Sequence, residues 1–287
     1  QIGAHIVMII LSLCCIFPFL LLIVSSITDE QELIRNGYTL FPKALSLNAY
    51  QYMFKSSNKI ISAYGITILS TVVGTVCGLS MTILMAYPLS RRDLPGRNGL
   101  AFYVFFTMLF SGGLVPTYIM YTRYIKVSNT IWALIIPSLV VNAFYVIMMR
   151  TYFSTQIPRE LREAAQLDGC AEMRYLVRIV LPLSVPILAV VGLYYAVGVW
   201  NSYFDAMVYL SSRNKMPLTV FLREILILND SADMTSSMDV ESMITMQERQ
   251  RVMKYSLIVV SSVPMFILYP FVQKYFVQGI MIGSVKG

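Results

Sequence analysis

The hydrophobic pattern divides the chain into six long stretches without buried charge, separated by polar connections. They are Ile6–Thr28, Ile60–Ser90, Leu100–Thr122, Thr130–Met149, 179–204 and Tyr255–Gln273. Each is close to or longer than the roughly 20 apolar residues a helix needs to cross about 30 Å of hydrocarbon. The first is too long and too uniform for a signal-peptide core, so it is expected to be a retained span. The pattern therefore predicts an all-α polytopic membrane protein with six transmembrane helices. Helix breakers fall inside several spans: Gly112, Gly113 and Pro116 in the third, Pro182 and Pro186 at the start of the fifth, Pro264 and Pro270 in the sixth. Irregular backbone at membrane depth is tolerated where it lines a cavity or packs on protein.

Composition agrees. The 287 residues are 57% hydrophobic and 13% charged, with a mean hydropathy of +0.66. Soluble domains carry about 25% charge. Disorder, a disulfide scaffold and a nucleic-acid-binding domain are excluded. The net charge of +7 then concerns orientation. Lys and Arg are denser in 88–99, 150–181 and 274–287 than in 29–59, 123–129 and 201–254, which predicts that both termini are cytoplasmic.

The candidate chemistry is sparse. Cys14, Cys15, Cys77 and Cys170 form no CxxC spacing, and His5 is the only imidazole, so neither a metal site nor a nucleophilic triad is indicated. No GxxxxGK[ST] loop is present, and the chain has no phosphate cradle of that kind. The spans lack internal Lys, Arg, Asp and Glu, with Asp205 just beyond the end of the fifth. This argues against a proton relay or voltage sensor. No internal repeat suggests an inverted-repeat transporter.

The loop 153–182 has a pattern of its own. Ser154 or Thr155 can cap a helix, and Pro158 suits its first turn. Strong helix formers run from Arg159 to Asp168, with a small, weakly apolar face of Leu161, Ala164, Ala165 and Leu167, and Gly169 suits the stop. A second helix from about Ala171 enters the membrane near Pro182. The result is a short helix–turn–helix on the cytoplasmic surface, open to close approach by another protein.

Glu163-Ala164-Ala165, three residues, Gly169, nine residues and Ile179-Val180-Leu181-Pro182 resemble the EAA signature of permease subunits of ABC importers. Ile157–Leu161 and Asp168 are similar to its carbohydrate-uptake branch. So are Leu47–Tyr50, Thr130–Leu134, Trp200-Asn201, Pro217–Val220 and the tail Phe276–Gly287. The likeness spans about Leu47 to Gly287, and is nearest to oligosaccharide permeases of the alginate type. It implies that Glu163, Ala164, Ala165, Asp168, Gly169, Ile179, Leu181 and Pro182 form a coupling helix and its anchor, docking into an ATP-hydrolysing subunit. It further implies a type I importer fold in a bacterial inner membrane and a homologous, non-identical second permease subunit. Two ATP-binding subunits holding ATP and Mg, and an external substrate-binding protein, complete the set. No catalytic residue, metal or cofactor is expected in this chain itself, and no nucleic-acid partner.

Sugars are recognised by aromatic faces and amide groups. By position, Tyr118, Tyr121, Asn142, Tyr145, Tyr194, Tyr195, Trp200, Asn201 and Tyr203 are path candidates. Tyr and Trp are enriched at membrane interfaces, so interfacial anchoring accounts for any one of these residues better than ligand contact does. The chain is expected to be one transmembrane domain, 1–287. Its external connection, 201–254, includes a polar insertion at 229–248 that carries five carboxylates and no Lys or Arg in 230–248. That insertion suits either solvent or a binding protein. The alternative from another class is a stand-alone secondary transporter or channel for a small polar solute.

Overall fold

The computed structural model of the protein describes residues 2–55, 58–140, 142–228, 254–271 and 273–274. The insertion 229–248 and the tail 276–287 lie outside these. The described residues are helical, with a single isolated bridge between Thr28 and Leu45 and no strand. The helices are α1 Ile2–Ser26, α2 Glu30–Asn36, α3 Asn48–Lys55, α4 Asn58–Ser90, α5 Arg97–Leu109, α6 Leu114–Tyr124 and α7 Trp132–Leu139. They continue as α8 Ala143–Gln156, α9 Arg159–Leu167, α10 Glu172–Leu183, α11 Val185–Asn201, α12 Phe204–Tyr209, α13 Leu218–Leu228 and α14 Lys254–Phe271.

Three helices, α1, α4 and α14, are by themselves long and apolar enough to cross a membrane; the bent pairs α5–α6 and α10–α11 raise the number to five. The stretch 130–149 is not one helix. It is α7 and most of α8, parted at 140–142, where Val140 is extended and Asn142 caps α8 by accepting from the Phe144 amide at 3.0 Å. An Asn that bonds its own downstream backbone favours such a start over continued helix. The third stretch bends by 108° between α5 and α6. Gly113 there has φ 84°, a conformation that L side chains avoid, and Pro116 sits in the first turn of α6, where its missing N–H costs nothing. The fifth bends by 85° at Ser184. Pro182 and Pro186 remove two donors in five residues, and a wide π turn over Leu176–Val180 leads into the break. Pro264, by contrast, lies inside a continuous α14.

The chain divides into two compact units, 1–64 with 217–264 and 65–216 with 265–287. In the first, Met53, Ile60, Leu218 and Leu257 are buried together. Ser26 and Tyr50 share a hydrogen bond of 2.8 Å, and Asp29 caps α2 through the Gln31 amide. In the second, α8 packs against α5 and α11. Its Val146, Met149 and Phe153 meet Ala86 and Leu89 of α4, Val104 of α5, and Ile187, Val191 and Tyr195 of α11. Arg150 fastens α8 to α4 by donating to the Leu89 carbonyl at 3.0 Å.

Met149 is fully buried in this core whereas Leu109 is 61% exposed. Met149→Ala is expected to cost about 2–5 kcal/mol and Leu109→Ala less than about 0.5 kcal/mol. Denaturant midpoints of the detergent-purified protein check this, and equal shifts contradict the packing.

Candidate functional site

The loop between α8 and α11 forms a helix–turn–helix. Its start differs from the sequence expectation. Ser154 and Thr155 do not cap α9, because α8 runs on to Gln156 and both hydroxyls donate to the Thr151 carbonyl. The cap position is Pro158, and Ile157 is extended, as a residue before proline prefers. The stop agrees with expectation. Gly169 has φ 70°, its amide donates to the Gln166 carbonyl at 3.0 Å, and the Cys170 amide donates to the Ala165 carbonyl at 2.8 Å. This pair of bonds is a Schellman motif.

The small face of α9 is split. Ala165 is 7% exposed and packs with Tyr175, Leu176 and Val180 in the core of the second unit. Glu163, Ala164 and Asp168 are exposed, and Leu167 is 89% exposed. Of the signature residues further on, Ile179 and Leu181 pack partly against that core, and Pro182 is exposed inside α10. So Ala165 seats the helix on its own protein, while Ala164 and Leu167 face outward.

Charge holds the turn in place. Arg91 pairs with Asp93 at 2.6 Å and with Glu172 at 2.7 Å; Arg162 pairs with Asp93 at 3.0 Å and with Glu172 at 3.1 Å. Tyr87 donates to the same Glu172 at 2.7 Å, and Gln166 at 3.4 Å. Burial works against the Arg91 cation, but its hydrogen bond to Asp93 and the Glu172 and Asp93 charges hold it above its ordinary value. The 91–93 connection is thereby bonded to both helices of the turn. Arg91, Asp93 and Glu172 carried no motif in the sequence; they meet only because α4 ends beside α10.

The aromatic candidates form two groups. Tyr145 stacks on Tyr194 at 5.8 Å and meets Tyr195 edge-on at 4.8 Å. Tyr195 is buried and hydrogen-bonded to Thr82 at 2.8 Å, and Trp200 is 5% exposed, so these two belong to the packed interior. Tyr194 is 41% exposed. Asn142 is the cap of α8, and Asn201 is exposed and donates back to the Val197 carbonyl. The second group is Tyr118, stacked on Tyr209 at 5.9 Å, with Tyr121 edge-on to Tyr209 at 5.5 Å. Tyr209 was not singled out from the sequence. Asn129 places it: its own amide donates to the Tyr209 carbonyl at 2.8 Å and its side chain accepts from the Ser212 amide at 3.0 Å. Tyr203 is exposed nearby in sequence, and Asp205 lies on α12, where burial pushes its carboxyl up despite a hydrogen bond from Ser202 at 3.2 Å.

The family of inner membrane components of binding-protein-dependent transport systems matches residues 78–280. The chain belongs to this family. It is 42% identical over 272 residues to Protein LplC of Bacillus subtilis, covering 95% of this chain and 90% of that one. It is 40% identical over 276 residues to the polygalacturonan/rhamnogalacturonan transport system permease protein YtcP of the same organism, covering 96% and 94%. A crystal structure of a bacterial ABC transporter involved in the import of the acidic polysaccharide alginate matches with a TM-score of 0.82 at 30% identity, over 96% of this chain and 95% of that one. This chain is accordingly a membrane permease component, and its family is not itself catalytic.

The charge network makes a measurable statement. Its members are half-exposed, so each pair contributes modestly. A double-mutant cycle over Arg162→Ala and Glu172→Ala is expected to give a coupling energy of about 1 kcal/mol. The coupling should shrink at about 1 M salt, where the Debye length falls to about 3 Å. Additive effects at low salt contradict the pairing.

Proposed function

We propose that this chain is the permease subunit of an ATP-driven importer that takes up an oligosaccharide delivered by an external binding protein. The observation that carries the reading is the helix–turn–helix over 159–183, seated by Ala165 and clamped by Arg91, Asp93, Arg162 and Glu172. A clamped helix with an outward small face suits a part that transmits movement from a partner. Family membership, and what the relatives named above transport, support the substrate class.

In this reading α1, α4, α5–α6, α7–α8, α10–α11 and α14 make six crossings, and the basic loops put both termini and α9 in the cytoplasm. A homologous second permease subunit completes the pathway, and two ATPase subunits receive α9 and its counterpart. The coupling residues are Glu163, Ala164, Asp168 and Gly169 on the docking side, with Ala165, Ile179, Leu181 and Pro182 holding the turn to the spans. Sugar passes the exposed rings of Tyr118, Tyr194 and Tyr203 and the half-buried ring of Tyr145, with Asn201 as an amide contact.

Ala164→Asp and Leu167→Asp place a carboxylate against the ATPase cleft. An unpaired buried charge costs several kcal/mol, and each 1.4 kcal/mol is tenfold. Both variants are expected to lose substrate-stimulated ATP hydrolysis by more than about tenfold in the reconstituted complex, with normal unfolding midpoints. Ala165→Asp should instead lower the unfolding midpoint of the permease. Full stimulation in both outward variants rejects the coupling assignment.

The path carries rings and amides with little charge, so selectivity should rest with the binding protein. Tyr194→Ala is expected to slow uptake several-fold, in the range of one lost stacking contact of about 1 kcal/mol, without changing the order of preference in an oligosaccharide panel. A changed order at constant binding-protein affinity assigns a specificity site to this subunit. Trp200→Ala should act on stability instead, by about 3–5 kcal/mol.

A further inference from the structure

Beside the coupling turn lies a cavity of about 390 Å³, and apart from Glu163 and the clamp its lining has no part in the proposed coupling or sugar passage. Its wall comes from the end of α4, the start of α5, the end of α8 and the first turns of α9. Five arginines line it against two carboxylates, Asp93 and Glu163. Arg91 and Arg162 already spend their charge on Asp93 and Glu172. Arg92, Arg97 and Arg159 form no ion pair among the described residues; Arg97 donates only to the Arg91 carbonyl, at 3.5 Å. Three cations thus line one half-open space with Glu163 as their one remaining counter-charge. The space is in the size range of small-ligand sites.

The wall chemistry selects the ligand further. Ser90, Ser154 and Thr155 line the cavity, but their hydroxyl protons are given to backbone carbonyls of their own helices. Guanidinium groups are therefore the main free donors, and their planar fork fits phosphate oxygens. The inner wall is apolar, with Phe153, Ile157 and Val180. Ser90 ends one membrane-length helix and Arg97 begins the next apolar one. The cavity therefore stands where hydrocarbon gives way to headgroups, and basic pockets at that level on the cytoplasmic side bind anionic lipid.

We propose that this cavity binds one phosphate-bearing anion, the phosphodiester headgroup of an anionic phospholipid, on Arg92, Arg97 and Arg159. Arg159 is the first residue of α9, so the bound headgroup touches the coupling helix itself. The proposal concerns binding, and stands or falls independently of what the transporter carries.

The full-length protein, purified with the subunits that accompany it, is stripped of lipid in detergent and titrated with short-chain phosphatidylglycerol. Binding is followed by native mass spectrometry. One equivalent is expected to bind saturably, and phosphatidylcholine should not displace it. Each juxtamembrane arginine contributes about fivefold, so R92Q/R159Q is expected to weaken binding about 25-fold, and R92K/R159K much less. Both residues are exposed, so their replacement removes no packed core, and an unchanged unfolding midpoint verifies that. R174Q/R178Q removes the same charge from exposed cytoplasmic positions outside the cavity and should leave binding unchanged. Equal weakening by both glutamine pairs means diffuse surface attraction and overturns the site, as does an absence of saturation. Binding of inorganic phosphate alone, with no retention of the lipid, keeps the anion site and overturns the lipid as its occupant.

Discussion

Inside hydrocarbon no water is available to backbone amides and carbonyls, so every helix break must be satisfied by the protein. This constraint explains where the chain bends and what stands at each bend. At 110–113 a left-handed Gly113 and a first-turn Pro116 end one helix and begin another. At 140–142 the Asn142 side chain takes up the Phe144 amide. At Ser184 the backbone amide bonds back to Leu181 and the carbonyl receives Leu188. Each break trades a helical bond for a local one, and those at 110–113 and Ser184 bend the chain by 108° and 85°.

That redirection builds the second unit. Because α10 bends away from α11, its polar N-terminal half remains beside the end of α4, and Glu172 meets Arg91, Arg162 and Tyr87. Because α5 bends away from α6, Tyr118 and Tyr121 come to Tyr209. The charged and aromatic groups thus stand at different bends: one set holds the helix–turn–helix in place, the other brings three rings together. A core of small and medium side chains, Ala86, Val146, Met149 and Val191, joins them through α8.

Much of the first unit's apolar surface is exposed. On α1 the side chains are exposed on every side from Gly3 to Leu20, and its mean hydropathy over the best window is 3.1. A helix apolar all round is stable only among lipid or other protein. This is consistent with a component of a membrane assembly and inconsistent with a self-contained bundle in water.

The all-helical character, the long apolar helices, the Gly169 stop and the loop helix were legible in the sequence, because a bilayer demands long uncharged runs and a left-handed C-cap demands glycine. The division of 130–149 into two helices was not, since apolar content alone is blind to a local Asn cap. Nor was the fate of Ala164 and Ala165, which share a composition but not a side: one step of about 100° around the helix puts one in the core and the other outside. Tyr195 and Trp200 look like Tyr194 in a list of aromatic residues, yet only packing decides which ring stays accessible. The clamp needed tertiary structure altogether. Asp93 and Glu172 lie 69 and 10 residues from Arg162, and such pairs leave no periodic trace, because their proximity is set by where three helices end and not by spacing along any one of them.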